Sequence, residues 1–193
     1  MRIKRQFTLS FALATLTLFG IASAAETQTF NADLVHSFAS FAVRHFGISR
    51  VSGTIPVKSA VIKLRSGSNV PVAVSAELDP AGVDTHNGMR DGDLRSPHFL
   101  DVTIYPHMSF ASTAISGDEK HLVIVGNLTL HGQTHPVTLN GEFLGRAAGP
   151  RGDTHVGFTA TTSLDRTQWG MTYGGPIVGN NVDITVDVDA ISR

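Results

Sequence analysis

NVDITVDVDAI, residues Asn181 to Ile191, alternates without a break: Val182, Ile184, Val186, Val188 and Ala190 fall on one face, Asp183, Thr185, Asp187 and Asp189 on the other. A period of two is the geometry of a β-strand with one face in apolar surroundings and the other in water. The pattern recurs at Val72, Val74, Ala76 and Leu78, at Val137, Leu139 and Phe143, and at Val156, Phe158, Ala160, Thr162 and Leu164. Lys120 to Leu130 begins apolar on both faces, as suits a strand covered on both sides. Glycines (Gly67, Gly117, Gly132, Gly149, Gly152) stand at the joints.

Read this way, the chain predicts eight strands, at about 33–47, 51–65, 70–82, 102–115, 120–131, 135–147, 153–165 and 181–191. Several exceed ten residues, against a usual strand length of roughly five or six. The fold class is therefore all-β: a tall, closed, eight-stranded antiparallel barrel, in which closure removes exposed edges. An open two-sheet sandwich is the alternative. In the first strand Ser37, Ala39, Phe41, Val43 and His45 share the more apolar face, which places Phe41, Val43 and His45 inside. Small residues (Ser37, Ala39, Gly141, Ala160) accompany Phe41, Phe110, Phe143 and Phe158 on the inner face. A barrel of eight strands either fills itself with side chains or holds one small ligand.

Only one long stretch departs from the strand pattern. Val83 to Phe110 opens with the turn formers Asp84, Thr85, Asn87 and Gly88. It continues with the sign-alternating run Arg90-Asp91-Gly92-Asp93-Leu94-Arg95 and stops at Ser96-Pro97. Proline pushes its predecessor out of the α region. A short helical segment near 87–97 that caps one end of the barrel is expected, and it is a candidate lid.

At the start, Arg2, Lys4 and Arg5 precede an uncharged apolar run from Phe7 to Ile21 and the small residues Ala22-Ser23-Ala24. That is the layout of a Sec-type signal peptide, here residues 1–24; a retained N-terminal anchor is the weaker alternative. Removal leaves 169 residues, 25–193, as one domain of ordinary size and takes the formal net charge from −1 to −4. The expected location is the periplasm or the exterior. There is no cysteine, which excludes a lipid-acylated anchor and leaves stability to the core. The scattered basic residues give no footprint for nucleic acid. An eight-stranded membrane barrel would carry aromatic girdles, whereas this chain has one Trp and two Tyr and ends in Arg193.

Few residues advertise chemistry. His131-x-x-x-His135 has ligand-like spacing, but Gly132 and Pro136 put it in a hairpin turn, and no metal site is expected. His86, His98, His107, His121 and His155 read as turn or surface residues. His45 reads as a core histidine with a ligand head-group contact as the other role. Arg90, Asp91 and Arg95 read as an ion-pair network fixing the cap, with head-group binding as the alternative. His36 and Ser37 point to opposite faces of a strand and cannot pair as base and nucleophile. No nucleophile elbow, phosphate loop or dinucleotide fingerprint is present. No catalytic residue is assigned, and an enzyme acting on an apolar substrate is the minority reading.

Three blocks then carry a resemblance: His36-Ser37 with Phe41 and His45; Asp84-Thr85, Arg90-Asp91, Leu94-Arg95-Ser96 and Phe99 through Tyr105-Pro106 to Phe110; and Gly126-x-Leu128-Thr129-Leu130-His131-Gly132 with Pro136 to Leu139. Together they strongly resemble the YceI-like family of periplasmic, polyisoprenoid-binding proteins, from about Phe30 to Ser192. The resemblance implies a lipocalin-like barrel, a hydrophobic tunnel, export and frequent pairing as a homodimer. It implies no cofactor beyond a bound ligand, which would be an isoprenoid, quinone-like or fatty-acyl lipid. Tyr173-Gly174-Gly175-Pro176 departs from the family pattern near the expected tunnel mouth. The ligand-contacting residues expected are Phe41, Val43, His45, Phe99, Phe110, Val137, Leu139, Phe143 and Phe158, with Met89, Met108 and Trp169 near a mouth.

Overall fold

The computed structural model describes residues 26–192; the expected signal peptide lies outside them. Nine strands form one antiparallel sheet: β1 (Thr27–Ala32), β2 (Phe38–His45), β3 (Ser49–Arg65), β4 (Pro71–Leu78), β5 (Met108–Gly117), β6 (Leu122–Leu130), β7 (Gln133–Ala148), β8 (Thr154–Asp165) and β9 (Val178–Ser192). They make eight staves, because β1 and β2 occupy one position between β3 and β9. β1 pairs with the end of β3 (Thr27 opposite Arg65) and β2 with its start (His45 opposite Ser49). Both also pair with β9. The remaining neighbours follow chain order, so the sheet closes into an eight-stave up-and-down barrel.

The first stave is where the observed strands differ most from expectation. β1 was not predicted, and the strand expected from residue 33 begins at Phe38. Asp33 makes the difference. Its carboxylate accepts from the Val35 amide (3.0 Å) and its carbonyl from the His36 amide (3.1 Å), which turns the chain. Leu34 and Val35 are thereby left exposed. Ser37 repairs the ladder across the gap: its hydroxyl donates to the Asp189 carbonyl (3.0 Å) and accepts from the Asp189 amide (3.2 Å).

Bulges tune the inner face elsewhere. In β3 the register slips between Val57 and Ser59. The inward set therefore changes from Ile55 and Val57 to Ala60, Ile62 and Leu64. On β6, Gly126 leaves room for the Phe110 ring, since a Cβ there would sit 2.4 Å from it.

Between β4 and β5 the chain makes a 3-10 turn (Pro80–Gly82) and α1 (Gly88–Arg95), close to the helical segment expected. Asn87 caps α1 by accepting from the Arg90 amide, and Asp91 lies in its first turn. Buried Asp91 accepts from both the amide and the hydroxyl of Thr85. Arg90 donates to the Thr85 hydroxyl and carbonyl, both at 2.8 Å, and Arg95 to the Val83 carbonyl at 3.2 Å. The expected network is thus structural, but it runs through Thr85 and backbone carbonyls; no Arg90–Asp91 ion pair forms among the described residues. β5 starts at Met108, not 102. Asp101 takes a left-handed conformation and its carbonyl accepts from the Ile104 and Tyr105 amides.

The barrel has two unlike ends. The α1 end carries the β2–β3 and β6–β7 hairpins and the 166–177 linker, whose first residues, Arg166–Trp169, form a 3-10 turn. The opposite end is plugged by Phe30, Leu64, Leu122, Ile124, Phe143, Val156 and Phe158, all in the buried core. Phe143 and Phe158 pack with ring centroids 5.3 Å apart, and Arg146 lies over Phe30.

Candidate ligand-binding site

Above that plug the barrel holds a partly open cavity of about 240 Å³. Its wall comes from alternate residues of the strands: Ala39, Phe41 and Val43 of β2, Ile55 to Ile62 of β3, Val74, Ala76 and Leu78 of β4, Met108 and Phe110 of β5, Leu128 and Leu130 of β6, Val137 and Leu139 of β7, Leu164 of β8, and Val182 to Val188 of β9. Val83, Leu94, Phe99 and Leu100 of the cap segment and Trp169 and Met171 of the linker complete it. Ser40, Thr162 and Arg166 also touch it, but they turn no polar surface toward the space.

The cap and the linker meet through aromatic rings. Tyr173 stacks on His98 at 3.9 Å and 4°, and meets Phe99 edge-on at 5.6 Å. His98 in turn lies 2.7 Å from the Asp93 carboxylate. The stretch around Tyr173 therefore packs against the cap.

Of the residues expected to contact a ligand, Phe41, Val43, Phe99, Met108, Phe110, Val137, Leu139 and Trp169 line the cavity. Met108 and Trp169, expected near a mouth, are buried wall residues. Four others lie elsewhere. Phe143 and Phe158 are inward and buried but belong to the plug beneath. Met89 projects from α1 into solvent, 89% exposed. His45 packs edge-on against Phe46 at the end of β2. The β2–β3 register runs unbroken through His45, which therefore shares the face of Val43, but as the last residue of β2 it lies beyond the cavity.

The His131–His135 pair is in the β6–β7 hairpin and serves Trp169. His131 Nδ1 lies 2.8 Å from the Trp169 carbonyl, and the His135 ring meets the indole edge-on at 5.1 Å. His155, read as a surface residue, is half-buried and bridges Asp189 (2.8 Å) and Asp153 (3.5 Å). Its hydrogen bond to Asp189 raises its pKa above the ordinary histidine value. At the same strand break His36 holds the Asp33 carboxyl below its usual range. Asp33, His36 and Asp189 each bring one ligand atom within 4.8 Å of the others, the geometry of a cation trio, with His36 largely in water.

Arg166 went unremarked in the sequence because it follows a strand's last residue, where a charged side chain ordinarily faces solvent. Here it is 5% exposed. Its Nε donates to the Gly179 carbonyl (2.9 Å), one terminal nitrogen to Val178 (3.0 Å) and the other to the Met171 carbonyl. Burial lowers its pKa from the ordinary guanidinium value, opposed by the charge of Asp165.

Comparison with known proteins places this architecture. A UPF0312 protein of Pseudomonas savastanoi pv. phaseolicola is 31% identical over 192 residues, covering 96% of this chain and 99% of that one. The crystal structure of a Campylobacter jejuni YceI protein superposes with a TM-score of 0.69 at 25% identity, covering 78% of this chain and 90% of that one. A polyisoprenoid-binding domain from Saccharophagus degradans, implicated in plant cell wall breakdown, shares the fold at 11% identity with a TM-score of 0.60, covering 86% and 99%. Residues 30–190 match the profile of the YceI-like domain, and on a match that spans the barrel from β1 to β9 the chain belongs to the YceI-like family.

Proposed function

We propose that the protein holds one long apolar lipid, an isoprenoid or a long acyl chain, inside the barrel and sequesters or carries it in the periplasm once residues 1–24 are removed. The observation that carries this reading is the cavity itself: a space inside a closed barrel whose lining surface is wholly apolar, with Ser40, Thr162 and Arg166 turning no polar surface toward it. Recognition of a hydrocarbon tail needs removal of its surface from water and little else. Each buried CH₂ contributes about 0.8 kcal/mol, so on the order of fifteen carbons contribute roughly 12 kcal/mol before the costs of association. The polyisoprenoid binding named for the Saccharophagus domain supports the same ligand class. At about 240 Å³ the cavity lies just under the roughly 300–1,000 Å³ of typical ligand sites.

Native mass spectrometry of protein purified from an exporting host, followed by solvent extraction, tests the reading. One added mass per barrel that extracts as an isoprenoid or acyl lipid is the expected result. Protein that is apo, and stays apo when offered such lipids, would overturn it.

A further inference from the structure

We infer that the barrel docks on an anionic lipid surface by its α1 end, with the tip of the β2–β3 hairpin entering the apolar layer and Arg44 and Arg50 meeting lipid phosphates. This rests on the carrier reading above and names the surface with which the ligand is exchanged.

The tip comes first. Beyond the last β2–β3 pair, His45 opposite Ser49, the chain turns through Phe46, Gly47 and Ile48, and the His45 carbonyl accepts from the Ile48 amide (3.2 Å). Phe46 (φ 51°) and Gly47 (φ 72°) are both left-handed. In such a turn Asn-Gly is the ordinary choice and a bulky residue is out of place. Phe46 is nonetheless held there, 59% exposed, and Ile48 is 86% exposed. Two large apolar side chains thus stand in water on a hairpin tip, outside the packed core.

The patch continues toward the cavity. The Phe46 amide donates to the Ile177 carbonyl (2.7 Å), and the Ile177 amide to that of Gly174 (2.9 Å). Ile177 and Tyr173 are exposed as well. The Tyr173 ring meets Phe99, which lines the cavity, as do Val43 and Val178 next to the hairpin and linker. Tip, linker and cavity form one apolar run at the end opposite the plug.

Charge selects the occupant. Arg44 and Arg50 are direct cross-strand partners on the outer face of β2 and β3, both exposed, and like charges so placed repel. Asp183 answers Arg50 (3.0 Å); among the described residues no carboxylate pairs with Arg44. Each arginine is two residues from an apolar tip residue, Arg44 from Phe46 and Arg50 from Ile48. With the tip among acyl chains, the guanidiniums reach the phosphate layer, where they make charge-assisted hydrogen bonds. A second copy of the chain, set on this tip by two-fold symmetry, would instead bring the arginines against their own kind.

The test is flotation of the wild-type mature protein with vesicles of phosphatidylcholine alone and of an equal mixture of phosphatidylcholine and phosphatidylglycerol. It should bind the mixed vesicles about tenfold more tightly, and lose that difference as salt rises. Phe46→Asn combined with Ile48→Ser should lower affinity for the mixed vesicles by about tenfold or more, and the fold should survive because asparagine suits the left-handed turn. Arg44→Gln should lower it about fivefold. Neither Phe46 nor Ile48 lines the cavity, so native mass spectrometry should show the double variant loading hexadecanoic acid or farnesol from solution as the wild type does. Wild type that loads lipid from solution but floats with neither vesicle, or a double variant that floats as well as wild type, would overturn the docking inference and leave the carrier reading intact. So would a wild-type dimer that the double variant converts to monomer, since the tip would then belong to a second copy. Failure to load either lipid, from solution or from vesicles, would overturn the carrier reading, while flotation alone decides the docking.

Discussion

If the aromatic plug sets the length of the cavity, Phe158→Ala should both destabilise the barrel and lengthen its ligand. Phe158 is 7% exposed, lies 5.3 Å from the Phe143 ring, and pairs across strands with Val188, which is itself in the cavity wall. Truncating a buried phenylalanine costs about 3–5 kcal/mol, including the aromatic contact. For a domain of this size each kcal/mol lowers Tm by about 2–4 °C, so the apo variant should melt roughly 6–20 °C lower. The space released adjoins the cavity floor, where a tail two or three methylenes longer would contribute about 2 kcal/mol more, or about 30-fold in Kd. The assay is thermal melting, with and without a series of saturated acids of increasing length, beside a competition measurement of Kd. A longer optimal tail in the variant, with the longer lipid restoring much of the lost Tm, is the expected outcome. An unchanged optimum would refute the idea that Phe158 is the floor, and an unchanged Tm would refute its place in the packed core.

Other perturbations probe the wall, the cap and the strand break. Ala39→Trp places an indole into the cavity from a wall position that is 6% exposed; lipid binding should fall at least tenfold while the far-ultraviolet circular dichroism spectrum stays unchanged. Tyr173→Ala removes the ring that joins cap to linker, and stopped-flow fluorescence should record faster lipid uptake and release with little change in Kd. Asp91 has its carboxyl pKa lowered, chiefly by the Thr85 hydroxyl. Its contribution is therefore present above the unfolded carboxylate value near pH 4 and lost as pH falls through the lower folded value. Asp91→Asn should flatten that acid-side loss in pH-dependent melts and speed amide exchange across 85–96. His155 is the opposite case, its pKa raised chiefly by the hydrogen bond its ring donates to the Asp189 carboxylate. Its contribution is complete below about pH 6.5 and lost as pH rises through the folded value, and His155→Gln should remove that slope.

Much of this barrel was readable because its strands obey a period of two. Val182 to Ala190 face inward in β9, as do Val137 and Leu139 in β7 and Phe41 and Val43 in β2, because one apolar face and one wet face leave the register no freedom. What alternation does not encode is position along the barrel axis. Phe143 and Phe158 are inward like Leu139, yet they are plug and not cavity, a distinction set by how neighbouring staves are staggered. Nor does it say where the cavity ends, which is why His45, on the face of Val43 but at the last residue of β2, is not among the lining residues. β1 was hidden because Thr27–Ala32 has one large apolar residue, Phe30, fully buried. Leu34 and Val35 misled in the other direction, being apolar and exposed in a turn dictated by Asp33. Arg166 was illegible for a chemical reason: its burial is made tolerable by carbonyls more than ten residues downstream, at Val178 and Gly179, and by Met171, and no local pattern announces that.

The shared first stave has a consequence for how the chain reaches this state. β1 and β2 close the barrel only by pairing with β9, so that Phe38 lies opposite Asp187 and Asn31 opposite Ile191. These are the most widely separated partners in the sheet, and contacts of such sequence separation form slowly because the loop they close is most of the chain. Until β9 has been synthesised the N-terminal stave has one neighbour, β3, and an open row of amides and carbonyls on its other side. The seam is thus the last part of the wall to form, and the step at which an unfinished barrel is most exposed to pairing with another chain.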